Sequence, residues 1–243
     1  MKISRYFPPK EIYSIDDWHQ HCPPKEKDIQ WKDYRSAKEM AKYWTSKEHQ
    51  KEFLAFIQNV LPGISFEYAI PEYQTAFDNY RNPRQNDLVI FALYQDKKVL
   101  VSIEGKADEP YGSNLVKEEL EKARKTFETK PSSNKLERVK ELVERFDHLP
   151  ELLNCCYQLL TWLSGSIEEA KRTKIDTIVL ISQEFHSNKT TAVNIERNTK
   201  DLNRFVNLIS NGSISEVRKN EICAPFLIDG VNCYFGKHVT NLK

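Results

Sequence analysis

With 243 residues, 40% of them hydrophobic and 29% charged, the chain is too polar for a membrane bundle and too apolar for wholesale disorder. A formal net charge of +1 gives no global pull toward a polyanion, so any nucleic-acid contact has to come from a local basic cleft. Five cysteines, two of them adjacent at Cys155-Cys156, do not resemble a disulfide framework and suit a reducing compartment.

The longest apolar runs, such as Leu88–Tyr94 and Thr177–Ser182, fall well short of the roughly 20 residues that span a bilayer. Residues Met1–Pro9 carry no apolar stretch of signal-peptide length. The expectation is a cytoplasmic protein with no membrane partner. No Pro/Gly/Ser-rich linker separates two patterned halves, so residues 1–243 are expected to form one domain.

Residues 1–33, rich in Pro and charge with scattered aromatics at Tyr13, Trp18 and Trp31, predict an irregular arm packed on that domain. Ser36 and Glu39 form a capping-box pattern ahead of Met40, Trp44, Phe53, Phe56, Ile57, Val60 and Leu61. That pattern predicts one long helix stopped by Pro62-Gly63.

Short apolar runs follow at Ile64–Ile70, Leu88–Tyr94 and Val99–Ile103, which read as three successive strands. Helical stretches are expected at about 113–128, 134–147 and 150–171. The run Ile175–Ser182 then reads as a buried strand reached by a helical crossover, and so parallel to its neighbour. The basic run from Lys122 to Lys140 is interleaved with glutamates and predicts a solvated helical face. Past the core, taken as residues 34–182, a helix over 194–210 precedes a hairpin turning at Asp229-Gly230. Residues 183–243 are expected to form a C-terminal appendage of that helix and hairpin. The fold class is α/β.

Acid-x-Lys occurs several times, but only Glu104-Gly105-Lys106 falls at the end of a strand, where the two-residue period points both side chains to one face. A two- or four-residue loop within Gln95-Asp96-Lys97-Lys98 sets Asp87 opposite Lys106 and Glu104 opposite Val89. Asp87 and Glu104 then lie diagonal on one face, their Cβ atoms about 7 Å apart or less. Carboxylates at the end of an apolar hairpin need compensation, which a structural ion pair with Lys106 or a bound metal would supply.

Helix, three strands, helices and a parallel strand, with Asp87 and then Glu104-x-Lys106, resemble the PD-(D/E)XK nuclease superfamily, although Asn86 stands where its motif names proline. The segments Trp31–Lys38, Gln85–Leu88 and Glu104–Gly112 also resemble an uncharacterised bacterial nuclease-like family. The resemblance implies a restriction-endonuclease-like core, with Asp87 and Glu104 holding Mg²⁺ or Mn²⁺. It makes Lys106 the residue that positions and helps deprotonate the attacking water. Hard oxygen donors suit Mg²⁺, which keeps several waters.

A first-helix acid completes some such sites, and Glu39, Glu48 and Glu52 are the candidates, with Glu39 better explained as a cap. Asp108 and Glu109 follow the motif closely enough to join it, although polar residues in a loop are more often merely solvated. Gln158 resembles the helix glutamine of some exonuclease-like relatives, with Trp162 standing where their tyrosine is expected.

Two other patterns carry little. Gly230–Lys237 has one residue too many between its glycines for a phosphate-binding loop, and Cys223, Cys233 and His238 lack zinc-knuckle spacing. The function that the resemblance implies is metal-dependent hydrolysis of phosphodiesters, above all of DNA, in bacterial defence or repair. A homodimer is the simplest way to cut both strands of a duplex. The alternatives are an inactive nuclease-fold binding or assembly module and a metal-dependent hydrolase of small phosphorylated substrates.

Overall fold

The computed structural model describes residues 1–146 and 150–242. The elements in chain order are β1 (Lys2–Arg5), β2 (Lys10–Glu11), α1 (Ile15–His21), α2 (Lys27–Gln30), α3 (Ser36–Thr45), α4 (Lys47–Gln58), β3 (Ser65–Thr75), β4 (Arg84–Tyr94) and β5 (Lys97–Lys106). Then come α5 (Val116–Thr129), α6 (Lys135–Glu144), a tight helical turn at Glu151–Asn154, α7 (Tyr157–Thr173), β6 (Thr177–His186), α8 (Ala192–Ile209), β7 (Glu221–Ile222), β8 (Phe226–Ile228) and β9 (Val231–Asn241). The end of the helix expected over 134–147 falls at residue 147, outside the described residues.

The strands form one mixed sheet in the order β2-β1-β3-β4-β5-β6-β9-β7, with β8 also paired to β9. β3, β4 and β5 are an antiparallel meander, and β6 runs parallel to β5. Strands at the centre are apolar on both faces because both faces are covered. Val89, Phe91, Leu100, Ile178 and Leu180 pack toward the α7 and α8 side, whereas Leu88, Ile90, Val99, Val101, Val179 and Ile181 pack toward α3 and α4. The β4–β5 hairpin sits inside the sheet, as its two-sided apolar pattern requires.

Four expectations are corrected. The arm over 1–33 is not merely draped on the domain, since Lys2 and Ile3 pair in parallel with Tyr68 and Ala69 and extend the sheet. The single long helix is two, because Ser46 leaves the helical region at φ −84°, ψ 122° and its hydroxyl caps α4 through His49 N–H at 3.4 Å. Arg35, not Ser36, occupies the N-cap of α3. Finally, the Asp229-Gly230 hairpin forms, both residues at positive φ as a two-residue turn needs, but its second strand is no appendage. β9 pairs in parallel with β6 over Thr177–His186 and belongs to the main sheet.

Candidate functional site

β4 and β5 zip together only as far as Leu88 opposite Ile103. Beyond that point β4 continues with β3 to Arg84, while β5 continues with β6 to Lys106. Asp87 stands at this fork. In place of a strand carbonyl its Oδ2 accepts the Gly105 N–H at 2.7 Å. Close approach here demands a glycine: a Cβ at position 105 would lie 2.8 Å from Met40 Cγ and 3.3 Å from Asp87 Oδ2.

The register differs from the sequence expectation by two residues. Gln95 and Asp96, both at positive φ, make the turn, and Tyr94 pairs with Lys97. Val89 therefore faces Ser102 instead of Glu104, and Asp87 meets the backbone between Glu104 and Lys106 instead of facing Lys106. A shift of two keeps Glu104 and Lys106 on one face of β5, as expected.

Both side chains point toward α7 and are almost wholly buried, at 2% and 5% exposure. Glu104 Oε1 accepts from Lys106 Nζ at 2.8 Å and from Gln158 Nε2 at 2.7 Å. Its Oε2 accepts from Arg84, itself buried and anchored to Asn86 Oδ1, Gln158 O and Thr161 Oγ1 at 3.2 Å each. Gln158 Oε1 also accepts from Lys106 at 3.3 Å, so the glutamine in the first turn of α7 bridges both halves of the acid-x-Lys pair. The Lys106 ammonium lies 5.3 Å from the centre of the Tyr111 ring, whose hydroxyl donates to Ser182.

The charges set the protonation. Burial opposes ionisation of Glu104, but Lys106 and Arg84 outweigh it and hold the carboxyl below its ordinary range. Burial likewise opposes the charge on Lys106, and Glu104 and Asp87 overcome it, so the amine is a firm ammonium. Asp87 is pushed upward by burial and by Glu104. Glu72 is pushed upward by burial and by Asp87.

Asp87, Glu72, Gln85, Arg35, Lys25 and Glu109 line an open cleft of about 320 Å³ between the sheet and the start of α3. Asp87 thus looks into solvent-accessible space, while Glu104 and Lys106 stand behind it. Glu72, at φ 52°, leaves the extended conformation where β3 passes Asp87.

The remaining candidates are placed elsewhere. Glu39 accepts Tyr34 N–H and Lys42 Nζ, both at 2.8 Å, and so bonds the residue before the Arg35 N-cap and not the N-cap itself, and Glu48 and Glu52 are exposed on α4. Asp108 fastens the start of α8 through Thr191 N–H at 2.7 Å and Asn194 Nδ2 at 3.0 Å. Trp162 donates to Ser102 Oγ at 2.9 Å. Cys233 packs on the α8 side, whereas His238 packs against Tyr43, Phe53 and Phe56 on the opposite face, so the two share no site. Lys237, the end of the phosphate-loop-like segment, is buried beside Glu184 at 3.2 Å.

Arg84, Glu72 and Tyr111 were not anticipated. An arginine two residues before an Asn-Asp pair was the available signal for Arg84, since a cation entering a buried strand needs an acid to meet.

A family model described as a domain of unknown function, DUF6946, matches residues 11–242. The chain belongs to that family. No curated protein and no solved structure matches the chain. The family match spans the sheet from β2 to β9, and so takes in the fork at Asp87 and both clustered charges behind it.

Proposed function

We propose that this protein is a metal-dependent phosphodiesterase of the restriction-endonuclease-like class acting on nucleic acid, DNA above all. The observation that carries the reading is the convergence of Asp87, Glu104 and Lys106 where β4 parts from β5, with Asp87 bonded to the very residue between the other two. The order of helix, antiparallel meander, helices and parallel strand supports it.

The donor set fits Mg²⁺ or Mn²⁺ in part. Asp87 offers a hard oxygen to an open cleft, and its ionisation is opposed by burial and Glu104, a conflict that a cation would relieve. Glu104 has both oxygens engaged by Arg84, Lys106 and Gln158, and no group of three or more His, Cys, Asp or Glu among the described residues is placed to hold a metal. Asp87 and Glu104 would be the ligands, with the Arg84 contact giving way. When bound, the ion would supply Lewis-acid polarisation and a water of lowered pKa. The chain's own part is played by Lys106, whose ammonium can orient the attacking water and offset charge on the phosphate. Raised as it is, it is not suited to accept the proton.

The saturated Glu104 favours a second reading, an inactive binding or assembly module in which the charged cluster only cements β5 to α7. The deciding experiment pairs thermal unfolding with and without Mn²⁺ and cleavage of a varied pool of DNA and RNA. Metal-linked stabilisation with Lys106-dependent cleavage supports the enzyme; neither effect supports the module. A hydrolase of small phosphorylated compounds would cleave model phosphoesters and leave the pool intact. Symmetric cutting of a duplex would pair two copies of the chain. Light scattering at micromolar concentration tests that: a dimer supports duplex cutting, and a monomer supports action on one strand at a time.

A further inference from the structure

The β1–β2 hairpin ends in the four-residue turn Tyr6-Phe7-Pro8-Pro9, and every residue of that turn is exposed. Tyr6 is 63% and Phe7 78% exposed, unusual for large rings held side by side in one tight turn. Tyr6 is braced edge-on against Tyr73 at 5.3 Å between ring centres. The two prolines restrict the turn further, so the rings are held outward at little entropic cost.

Beneath the turn lies a second cleft of about 310 Å³, lined by Arg5, Tyr6, Phe7 and His21. It shares Glu72 and Gln85 with the cleft that holds Asp87, so the two form one track from the aromatic turn to the fork. The arm's ion pairs join Lys2 to Glu11, and Lys38 and Lys42 to Asp33. Arg5 in the second cleft and Lys25 and Arg35 in the first have no carboxylate partner among the described residues. Two adjacent exposed rings followed by these three cations match a strand that offers unstacked bases and phosphates together, while Glu72, Asp87 and Glu109 line the fork end of the same track.

We infer that the track from Tyr6 and Phe7 past Arg5 to Asp87 seats single-stranded nucleic acid, its bases stacked on the two rings. The inference deepens the phosphodiesterase reading by naming its substrate class. A paired duplex keeps its base faces stacked internally and has nothing to offer these rings.

Binding is measured by fluorescence anisotropy in EDTA, with labelled oligothymidylate and oligouridylate of about 12 nucleotides. A blunt duplex and an abasic strand of equal length are the controls. Tight binding of either single strand, about tenfold or more over both controls, is the expected result. Phe7→Ser should lose about tenfold and Phe7→Trp should restore it. Because Phe7 packs on little, the thermal midpoint of Phe7→Ser should equal that of the parent, which separates lost stacking from lost folding. Equal binding of the abasic strand, or unchanged binding by both Phe7→Ser and Tyr6→Ser, overturns the inference. Metal-free binding without Mg²⁺-dependent cleavage would retire the phosphodiesterase reading and keep this one. Cleavage with binding indifferent to Phe7 would do the reverse.

Discussion

Two cations and an amide converge on the Glu104 carboxylate, and this decides what its removal does. With Arg84 and Lys106 both buried against it, Glu104→Ala strands two charges. It should cost about 3–5 kcal/mol in urea unfolding measured without metal, whichever function holds. Lys106→Met is gentler, because Glu104 keeps Arg84 and Gln158 and the methionine stem refills the space. Its stability should fall by less than that of Glu104→Ala, and manganese should still shift its thermal midpoint. Cleavage should drop by about 10²- to 10⁴-fold, as expected for loss of a group that acts on the water. A Lys106→Met protein that cleaves normally would remove lysine from the proposed chemistry.

β5 passes close against α3 at Gly105. Gly105→Ala drives a methyl into Met40 and toward the Asp87 carboxylate. The expected cost is about 1–3 kcal/mol, with weaker manganese binding because Asp87 must shift. Calorimetry showing unchanged stability and affinity would mean the fork adapts freely. On the same face of the sheet β9 places His238 among Tyr43, Phe53 and Phe56. Burial, and after it the nearby His49, lower its pKa from 6.5 to about 4. The unfolded chain therefore takes up this proton first as pH falls. The stabilising contribution is full above pH 6.5 and fades as pH drops toward 4. At about 1.4 kcal/mol per pH unit the loss is a few kcal/mol, and His238→Phe should flatten it in urea titrations run at neutral and acid pH. A variant as acid-sensitive as the parent would place the effect elsewhere.

For the whole molecule, a metal that binds only the folded state must raise stability by mass action. Manganese at about a hundred times its dissociation constant should add about 2.7 kcal/mol to unfolding. The gain should shrink at lower pH, where protons compete for an Asp87 whose pKa is already raised by burial and Glu104. A midpoint that does not move with manganese at any pH would leave the charged cluster a structural cement. No helix among the described residues is long and apolar enough to cross a membrane.

The sequence by itself determined what depends on neighbours a few residues apart. The two-sided apolar strands, the turn at Asp229-Gly230 and the shared face of Glu104 and Lys106 all follow from local period and turn chemistry, and all are present. Gln158 was legible only as a resemblance, since nothing in a helix says which strand it will meet. Tertiary structure decided the rest. The choice of Gln95-Asp96 as the turn moved the register by two, and pairing with β6 drew β9 into the sheet. The parting of β4 from β5 set Asp87 against Gly105 and let Arg84 reach Glu104. Each of these compares pairings between distant segments of similar local preference. Their energies depend on which surfaces become buried together, and no stretch of sequence carries that information alone.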